Sequence, residues 1–443
     1  MATSDTITYQ YHMPSYMAHS HLTLTGYSEI KPITHFFQGV LKQPYIISRC
    51  LITLSNIVQS SFNLSPFQMA LLRDPIATAG NDKLRFEGFS HCAGVYARVD
   101  ILPSAIDAVF SESGTVNVDF NQPMINALAS VGKKGELLLN LGAEGISVQT
   151  APDQLIVERK VPLPAKWIKG LTSVQMFLSA AEQVHTFNQL QAMQLFKSIP
   201  AGQPKPDHYL IIRGNKPMFS PAKAANAICV GGVHRLKLLE PLLPLANELK
   251  VFAGPDMQST TWQLYFGGVR FSFSLSRECW RGFSGEGAAL ESLIADVPDE
   301  WVEAMNKYSH ANQEFNPALM AINEDLHFDQ VDNLTGRMAA MGLLGYDLDE
   351  RQFFYRQLPF KQSRILQLNP RMKDAEKLLE EDKVLILQNE HDRVDARVEG
   401  SGMQHTVIID QGKARCTCTW YAKNQGERGP CKHILAVKIK TGS

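Results

Sequence analysis

Residues 414–440 read ARCTCTWYAKNQGERGPCKHILAVKIK, and this stretch places three cysteines close to one histidine. Their order is C-x-C, twelve intervening residues, and then C-x-H. Zinc in structural sites takes four tetrahedral ligands, and three thiolates with one imidazole complete that set without leaving a position for a substrate water. The pattern therefore predicts a closed, structural Zn²⁺ site whose ligands are Cys416, Cys418, Cys431 and His433.

The two pairs of ligands fit two different backbone conformations. Side chains two residues apart on a strand point to the same side, so Cys416 and Cys418 can share one ion. Side chains two residues apart on a helix lie about 200° from each other around the axis, so Cys431 and His433 converge only where a helix begins. Pro430 marks such a beginning, because proline is favoured at the entry to a helix.

The four residues resemble the SWIM zinc finger, a C-x-C…C-x-H module in which a β-hairpin supplies the first pair and a helix start supplies the second. The resemblance covers only the C-terminal part of the chain, and it implies binding of DNA or of protein. In the alternative interpretation the cysteines are ordinary small core residues and His433 is a capped surface histidine. The order and context of the four residues favour the metal site.

Three segments upstream carry a second resemblance. They are similar to bacterial SWIM proteins encoded beside a MoxR-type AAA+ ATPase and a von Willebrand A domain protein. This resemblance supplies no catalytic residues, and it implies a protein partner, for which that ATPase and that von Willebrand A protein are the candidates. The segments are CWRGFSGEGAALESL (279–293), GLLGYDLDERQFFYRQLPF (342–360) and LNPRMKDAEKLL (368–379).

Positive charge is concentrated in the tail, although the whole chain has a formal net charge of -1. Lysines and arginines bind phosphates by releasing counterions, and an exposed aromatic ring can stack on an unpaired base. Lysines also solvate surfaces or face a protein partner, so both kinds of ligand stay open. The candidate contact residues for a nucleic acid or a protein are Lys413, Arg415, Trp420, Lys423, Arg428, Lys432 and Lys438.

The rest of the chain predicts a multidomain α+β protein. Leucine-rich and β-branched runs predict a strand meander within 135–161, and apolar residues at helical intervals predict one long helix over 173–198. Three prolines in 199–208 predict an interdomain linker, and the Gly267–Gly268 pair predicts a hairpin turn. The predicted domains are a mixed α/β domain at 1–198, an α+β domain at 209–320, a helical module at 321–382 and the zinc finger at 383–443. Four strands and a closing helix are predicted in the last domain, at 383–389, 395–400, 405–411, 414–418 and 431–440.

Composition and motifs favour a non-enzymatic protein of the cytoplasm. The apolar share of 44% and the charged share of 20% are typical of folded globular chains, and no run of eighteen apolar residues occurs. Seven cysteines, an odd number, argue for reduced thiols. RGFSGEG at 281–287 has Glu286 where a nucleophile elbow needs glycine, and it lacks the Gly-Lys-Ser/Thr of a phosphate loop. We therefore expect a zinc-binding adaptor that joins protein partners, with nucleic-acid binding through the finger as the alternative.

Overall fold

Helices and strands alternate along the chain. The computed structural model describes residues 16–18, 21–23, 35–60, 75–151, 154–163, 165–278, 282–283, 287–294, 297–356, 358, 369–390, 392–400, 402–426 and 428–442. The α-helices among them are α1 (Pro44–Gln59), α2 (Gln122–Ser130), α3 (Ala165–Ser179), α4 (Gln189–Lys197), α5 (Ala288–Ile294), α6 (Asp299–Asn312), α7 (Pro317–Asn323), α8 (Phe328–Ala340), α9 (Pro370–Glu380), α10 (Thr419–Asn424) and α11 (Lys432–Thr441). The strands are β1 (Tyr16–Ala18), β2 (His21–Thr23), β3 (His35–Leu41), β4 (Ile76–Gly80), β5 (Lys83–Phe89), β6 (Val95–Ile101), β7 (Ile106–Phe110), β8 (Gly114–Asn117), β9 (Leu138–Gly142), β10 (Gly145–Ala151), β11 (Gln154–Arg159), β12 (Glu182–Asn188), β13 (His208–Arg213), β14 (Lys216–Ser220), β15 (Ile228–Val230), β16 (Glu248–Ala253), β17 (Ser259–Tyr265), β18 (Val269–Ser276), β19 (Glu314–Phe315), β20 (Leu344–Asp347), β21 (Gln352–Tyr355), β22 (Val384–Glu390), β23 (Arg393–Gly400), β24 (Met403–Asp410) and β25 (Lys413–Cys416).

The strands are arranged in several antiparallel sheets. The largest has eight strands in the order β12-β16-β17-β18-β6-β5-β4-β8, and a five-stranded sheet has the order β11-β10-β9-β3-β7. Two sheets of three strands have the orders β14-β13-β15 and β19-β21-β20, and β1 pairs with β2. The last sheet, β22-β23-β24-β25, precedes the final two helices. This mixture of helices and sheets, with a hairpin and helix at the C-terminal end, confirms the predicted α+β class.

The eight-stranded sheet has two buried faces of different chemistry. Phe86 and Val99 are cross-strand neighbours on one face, and both belong to the larger hydrophobic core. Asp100 lies between Arg85 and Arg270 on the other face, and all three side chains are almost completely buried. The alternation of strand side chains therefore separates an apolar layer from a charged layer.

The charged layer is held by ion pairs to the segment that follows α8. Arg270 Nη2 lies 2.6 Å from Asp347 Oδ2, and Arg85 Nη2 lies 3.8 Å from the same oxygen. Burial alone raises the pKa of Asp347, but Arg270, Arg98 and Arg85 together hold it well below its ordinary value. The carboxylate is therefore ionised, and β20 is attached to this face of the sheet by paired charges.

Glu87 and Arg356 form a second, wholly buried ion pair in this layer. Arg356 Nη1 donates to both carboxylate oxygens of Glu87, at 2.7 and 2.6 Å. The hydroxyl of Tyr96 donates to the same carboxylate at 2.7 Å. Arg356 Nη2 also donates to the main-chain oxygens of Leu171 and Leu344, at 3.4 and 3.3 Å. The pair thus connects strand β5 to α3, β20 and the residue that follows β21.

The prediction of one long helix over 173–198 is wrong. Helix α3 ends at Ser179, β12 follows as an edge strand of the large sheet beside β16, and α4 begins after Asn188. The side-chain oxygen of Asn188 accepts from Gln191 N at 3.0 Å, and Gln191 Oε1 accepts from Asn188 N at 3.1 Å. This reciprocal capping box starts a new helix. The pairing of β12 with β16 therefore overrides the helical spacing of the apolar residues.

Other local predictions are confirmed. Strands β9, β10 and β11 form the predicted meander, and β17 and β18 form the predicted hairpin, with Gly267 at a positive φ of +82°. Strands from both sides of residues 199–208 share the eight-stranded sheet, and one core includes buried residues from Phe36 to Leu358. The region predicted as a helical module contains α8 and α9, and it also contains β20 and β21. The domain boundaries stay a prediction.

A second, smaller hydrophobic core lies in the C-terminal part of the chain. It joins the four-stranded sheet to α5, α9 and α11, and it includes Leu290, Ala375, Val398 and Leu435. The cysteines at 416, 418 and 431 belong to the same core. None of the helices in the described ranges combines the length and the apolar composition needed to cross a membrane.

Glu158 on β11 is a buried carboxyl group with an unusual proton affinity. Glu158 is only 5% exposed. Asn121 Nδ2 donates to Glu158 Oε2 at 2.8 Å. Burial has the largest effect on the pKa of Glu158, and the negative charge of Asp119 has the next largest. Together they raise this pKa from 4.5 to about 7. The folded protein therefore holds a proton here that the unfolded chain releases, so this group lowers stability progressively as the pH rises from 4.5 to 7.

We expect Glu158→Gln to stabilise the protein at pH 8 and to have little effect at pH 4.5. The amide keeps an oxygen for Asn121 and carries no charge to desolvate, so the gain in free energy of unfolding at pH 8 is on the order of 1–3 kcal/mol. Urea denaturation at both pH values measures the effect. Glu144→Gln is the matched control, because the Glu144 side chain is 76% exposed. An equal effect of Glu158→Gln at both pH values would contradict the raised pKa.

Candidate metal centre

The first pair of ligands lies at the end of the β24–β25 hairpin. Strand β25 ends at Cys416, two residues before the end of the predicted strand. The backbone nevertheless stays extended, because Thr417 N donates to Thr406 O at 3.1 Å and Cys418 has φ −73° and ψ 154°. An extended backbone through Cys418 keeps the two cysteine side chains on the same side, as the sequence predicts.

The second pair of ligands lies at the beginning of α11. Cys431 is the N-cap residue of that helix, and its Sγ accepts a hydrogen bond from Ile434 N at 3.5 Å. His433 is the second helical residue, and Pro430 directly precedes the cap. The helix entry therefore brings Cys431 and His433 to one side, and this part of the prediction is confirmed.

The four side chains meet in one buried cluster. The three sulfurs and a ring nitrogen of His433 all lie within 4.8 Å of one another, and Cys416 Sγ is 3.8 Å from His433 Nδ1. Ligands bound tetrahedrally to one Zn²⁺ at about 2.0–2.3 Å are about 3.3–3.8 Å apart, so a separation of 3.8 Å is compatible with a shared ion. Each residue is less than 9% exposed. The donor set and its geometry fit Zn²⁺, which Cys416, Cys418, Cys431 and His433 hold as a closed structural site.

The three thiols of this cluster differ in proton affinity. A hydrogen bond from Cys416 has the largest effect on the pKa of Cys431 and lowers it to about 4. Burial acts in the opposite direction, and a hydrogen bond with His433 lowers the pKa further. The same bond with Cys431, and then burial, raise the pKa of Cys416 far above its ordinary value, and burial raises that of Cys418. The pKa of Cys431 is thus lowered, whereas the pKa values of Cys416 and Cys418 are raised. Zinc must displace the other protons, so zinc affinity falls as the pH falls.

The orientation of His433 depends on two residues that are not among the predicted site residues. Because Nδ1 faces the sulfurs, Nε2 points away, towards the backbone of Gly400 on β23. The ring of His405 packs against the ring of His433, with centroids 4.4 Å apart and planes at 35°. A glycine within a strand often marks a close approach of another group, which was the available signal for Gly400. His405 and Gly400 thus fix the ring from two sides.

We expect Gly400→Ala to weaken zinc binding by about 10- to 100-fold, the range typical of lost support around a ligand. A Cβ at this position would lie 2.5 Å from His433 Nε2, which is too close for the ring to stay in place. Competition with a chromogenic chelator measures the affinity. Gly402→Ala is the matched control, because its φ of +77° strains the same hairpin while its Cβ meets no atom within 4 Å. Equal zinc affinity in the two variants would contradict contact with His433 as the cause.

Several of the cations predicted to contact a ligand are bound within the protein. Lys432 Nζ lies 3.3 Å from Asp374 on α9, and Lys438 Nζ lies 3.2 Å from Glu291 on α5. These pairs join α11 to the two helices packed against it. Three of the predicted contact cations remain exposed and form no ion pair with the described residues. They are Lys413, Arg415 and Lys423.

Trp420 also has neighbours within the protein. The guanidinium of Arg371 lies 4.7 Å from its ring centroid, and that of Arg428 lies 5.8 Å away. Arg371 Nη1 donates to the main-chain oxygens of Arg428 and Pro430, at 2.8 Å each. Arg371, which the sequence analysis did not select, therefore attaches α9 to the loop between the two ligand pairs. The half-buried Trp420 ring packs in this attachment through cation–π contacts.

The fold and the site together define a protein of mixed helices and sheets with a buried Cys₃His zinc centre near its C-terminal end. The six cysteines within the described ranges are all unpaired, as a thiolate ligand set requires. Residues 405–442 match the family model of the SWIM zinc finger, in agreement with the resemblance of the sequence. Comparison with curated proteins gives no match.

Comparison with solved structures finds similarity to proliferating cell nuclear antigens. The Entamoeba histolytica protein is 10% identical with a TM-score of 0.38, and the comparison covers 55% of this chain and 99% of that chain. The PCNA2–PCNA3 complex from Sulfolobus tokodaii is 9% identical with a TM-score of 0.39, with the same coverage. At these TM-scores the similarity carries no argument about the fold or the function.

Proposed function

We propose that this protein is a zinc-dependent adaptor that binds another protein through its C-terminal module, and that it catalyses no reaction itself. The observation that carries the proposal is a pair of exposed apolar side chains on β22, the edge strand opposite β25 in the sheet of the zinc module. Leu385 and Leu387 on β22 are 59% and 53% exposed. Exposed apolar side chains that lie together favour a binding surface over a solvated one.

The position of these two leucines supports recognition of a protein chain. Strand β22 pairs with β23 on one side only, and among the described residues no strand pairs with its other side. Leu385 lies opposite Arg397 in the register, on the face of the sheet turned away from the smaller core. An open strand edge offers main-chain hydrogen bonds to an extended peptide. We call Leu385, Leu387 and this open edge the β22 surface.

The narrower identity of the partner rests on sequence alone. The resemblance of residues 279–293, 342–360 and 368–379 to bacterial SWIM proteins favours a MoxR-type AAA+ ATPase or a von Willebrand A domain protein. We retain these as the first candidates to test, with the cytoplasm as the compartment in which they would meet this protein.

Binding of a nucleic acid is a second candidate function, favoured by one observation. Lys413, Arg415 and Lys423 are exposed and carry no ion pair with the described residues, so they are available to phosphates. The other predicted contact residues support it less, because Lys432 and Lys438 are paired with carboxylates and Trp420 packs against Arg371. Protein recognition therefore ranks first.

Direct binding to the purified candidate proteins tests the adaptor role. We expect the zinc-loaded full chain to bind a candidate in calorimetry, and Leu385→Glu/Leu387→Glu to weaken that binding at least tenfold. Leu155→Glu/Val157→Glu is the matched control, because these residues form a similar exposed pair on β11, which is also an edge strand. Equal weakening in both double variants would argue against the β22 surface.

Mobility shifts across a salt series test the second candidate. Phosphate contacts predict a shift at low salt that weakens as salt increases, and that is lost in Lys413→Ala/Arg415→Ala/Lys423→Ala. The control is Lys42→Ala/Arg49→Ala/Lys134→Ala, which removes the same number of charges in the N-terminal part of the chain. No shift at low salt, or a shift unchanged by the first variant, would exclude these cations as a nucleic-acid site.

A further inference from the structure

An apolar groove lies between α6, α7 and α8, outside the zinc module. Its volume is about 390 Å³, and it is open to solvent along one side. Helix α6 contributes residues at positions i, i+4 and i+7, which lie on one helical face. The principal lining residues are Trp301, Met305, Tyr308, Met320, Val331 and Leu334.

Large apolar side chains extend from the groove onto the surface around it. Trp301 and Leu326, which line it, are 43% and 39% exposed. Leu319, Ile322 and Phe328 on α7 and α8 are 59%, 65% and 59% exposed. So many exposed large apolar side chains within one short segment are uncommon on a free protein surface, because each side chain gains free energy when it leaves water. The groove and its surroundings therefore have the composition of a docking site.

The charge around the groove is strongly negative. Seven exposed carboxylates belong to α6, α8 and the turn between α7 and α8, whereas the same segment carries only Lys307 and Arg337 as cations. Arg337 Nη2 lies 3.1 Å from Asp299 Oδ1, which leaves Lys307 against the remaining carboxylates. The seven carboxylates are Asp299, Glu300, Glu303, Glu324, Asp325, Asp329 and Asp332. We call the groove with these carboxylates the acidic groove.

We propose that the acidic groove binds a basic amphipathic helix of a partner protein. Apolar residues at positions i, i+3 or i+4 and i+7 of that helix fill the groove, and its lysines and arginines lie against the carboxylates. Helix α6 has 14 residues, so the groove matches about four turns of a bound helix. Anionic membranes and nucleic acids are repelled by this charge, and so is the same groove of a second copy.

This binding site goes beyond the proposed adaptor role of the zinc module. The residues of the acidic groove, 299–337, include none of the zinc ligands and none of the β22 surface. The two sites therefore have no residue in common. The two proposals are separable, because Leu385→Glu/Leu387→Glu changes the β22 surface alone.

A peptide titration with the zinc-loaded full chain tests this inference. The probe is a fluorescein-labelled 18-residue peptide of leucine and lysine, patterned to form an amphipathic helix and carrying a photoreactive phenylalanine analogue at its centre. We expect fluorescence anisotropy to report saturable binding that weakens with salt, and cross-links to map to residues 301–334. Leu385→Glu/Leu387→Glu should leave this binding unchanged. Failure of the peptide to bind the acidic groove is therefore distinguishable from failure of the adaptor role.

Two double variants assign the contacts. Trp301→Ser/Leu326→Ser should weaken the peptide at least tenfold, and Asp325→Lys/Asp329→Lys should weaken it similarly while removing most of the salt dependence. Leu190→Ser is the control, because Leu190 is 73% exposed on α4. Equal binding of a peptide with the same composition in scrambled order, or binding unchanged in both double variants, would overturn the proposal. Dimerisation that Trp301→Ser/Leu326→Ser abolishes would overturn it in favour of a second copy.

Discussion

Replacement of Cys431 by serine is expected to abolish zinc binding and to unfold the C-terminal module. Cys431 is the most buried ligand, at 1% exposure, and the hydrogen bond from Cys416 lowers its pKa below the ordinary value. Structural zinc sites have apparent binding free energies of about 10–16 kcal/mol, which is comparable to the total stability of a small domain. The module around Val407 and Leu435 depends on this contribution, because its own core is small.

Metal analysis and limited proteolysis measure this effect. The native chain should contain one zinc ion and resist cleavage after residue 402, whereas Cys431→Ser should contain none and be cut within 402–442. Cys92→Ser is the matched control, because Cys92 is also buried and its sulfur lies 3.3 Å from the hydroxyl of Ser90. Full zinc content in Cys431→Ser, with an intact tail, would mean that the cluster does not hold the ion.

The second large effect is expected at the buried Glu87–Arg356 pair. We expect Arg356→Met to lower the free energy of unfolding by about 3–5 kcal/mol, because it leaves the carboxylate of Glu87 buried without its counter-ion. Both side chains are 0% exposed, so water cannot replace the lost guanidinium. Urea denaturation followed by tryptophan fluorescence measures the change, since Trp167 and Trp262 lie in the same core.

Two further variants separate the buried charge from other causes. Glu87→Gln/Arg356→Met should recover a large part of the loss, because both charges are absent and Tyr96 can still donate to the amide oxygen. Lys160→Met removes an exposed pair with Glu144, and it should cost less than about 1 kcal/mol. If the double variant were as unstable as Arg356→Met, lost packing of the arginine would be the cause.

The zinc site could be predicted from the sequence because its geometry is local. Two ligands end a hairpin and two begin a helix, so strand period and helix entry suffice to place Cys416, Cys418, Cys431 and His433. The support of His433 by Gly400 could not be predicted in the same way. That contact depends on the packing of β23 against α11, which no short-range spacing encodes.

The wrong prediction of one long helix, and the charged layer and groove that were not predicted, have the same physical origin. Residues 182–188 carry apolar side chains at helical intervals, but pairing with β16 makes them a strand. The charged layer of the large sheet brings Arg270 beside Asp347, which is 77 residues away in the chain. The acidic groove likewise requires three helices to meet. Long-range pairing decides all three, and a single sequence does not display it.

Two of the zinc ligands also begin helices, and this restricts how the site can change in evolution or by design. The sulfurs of Cys418 and Cys431 accept hydrogen bonds from Tyr421 N and Ile434 N, at 3.3 and 3.5 Å. Histidine can replace cysteine as a zinc ligand, but its ring cannot bind the ion and cap these helix starts in the same way. The sulfur of Cys416 accepts from Cys418 N at 3.4 Å, but Cys416 ends a strand and caps no helix. Exchange of cysteine for histidine should therefore be tolerated best at position 416. Among functional variants, histidine should be found at position 416 more often than at position 418 or 431.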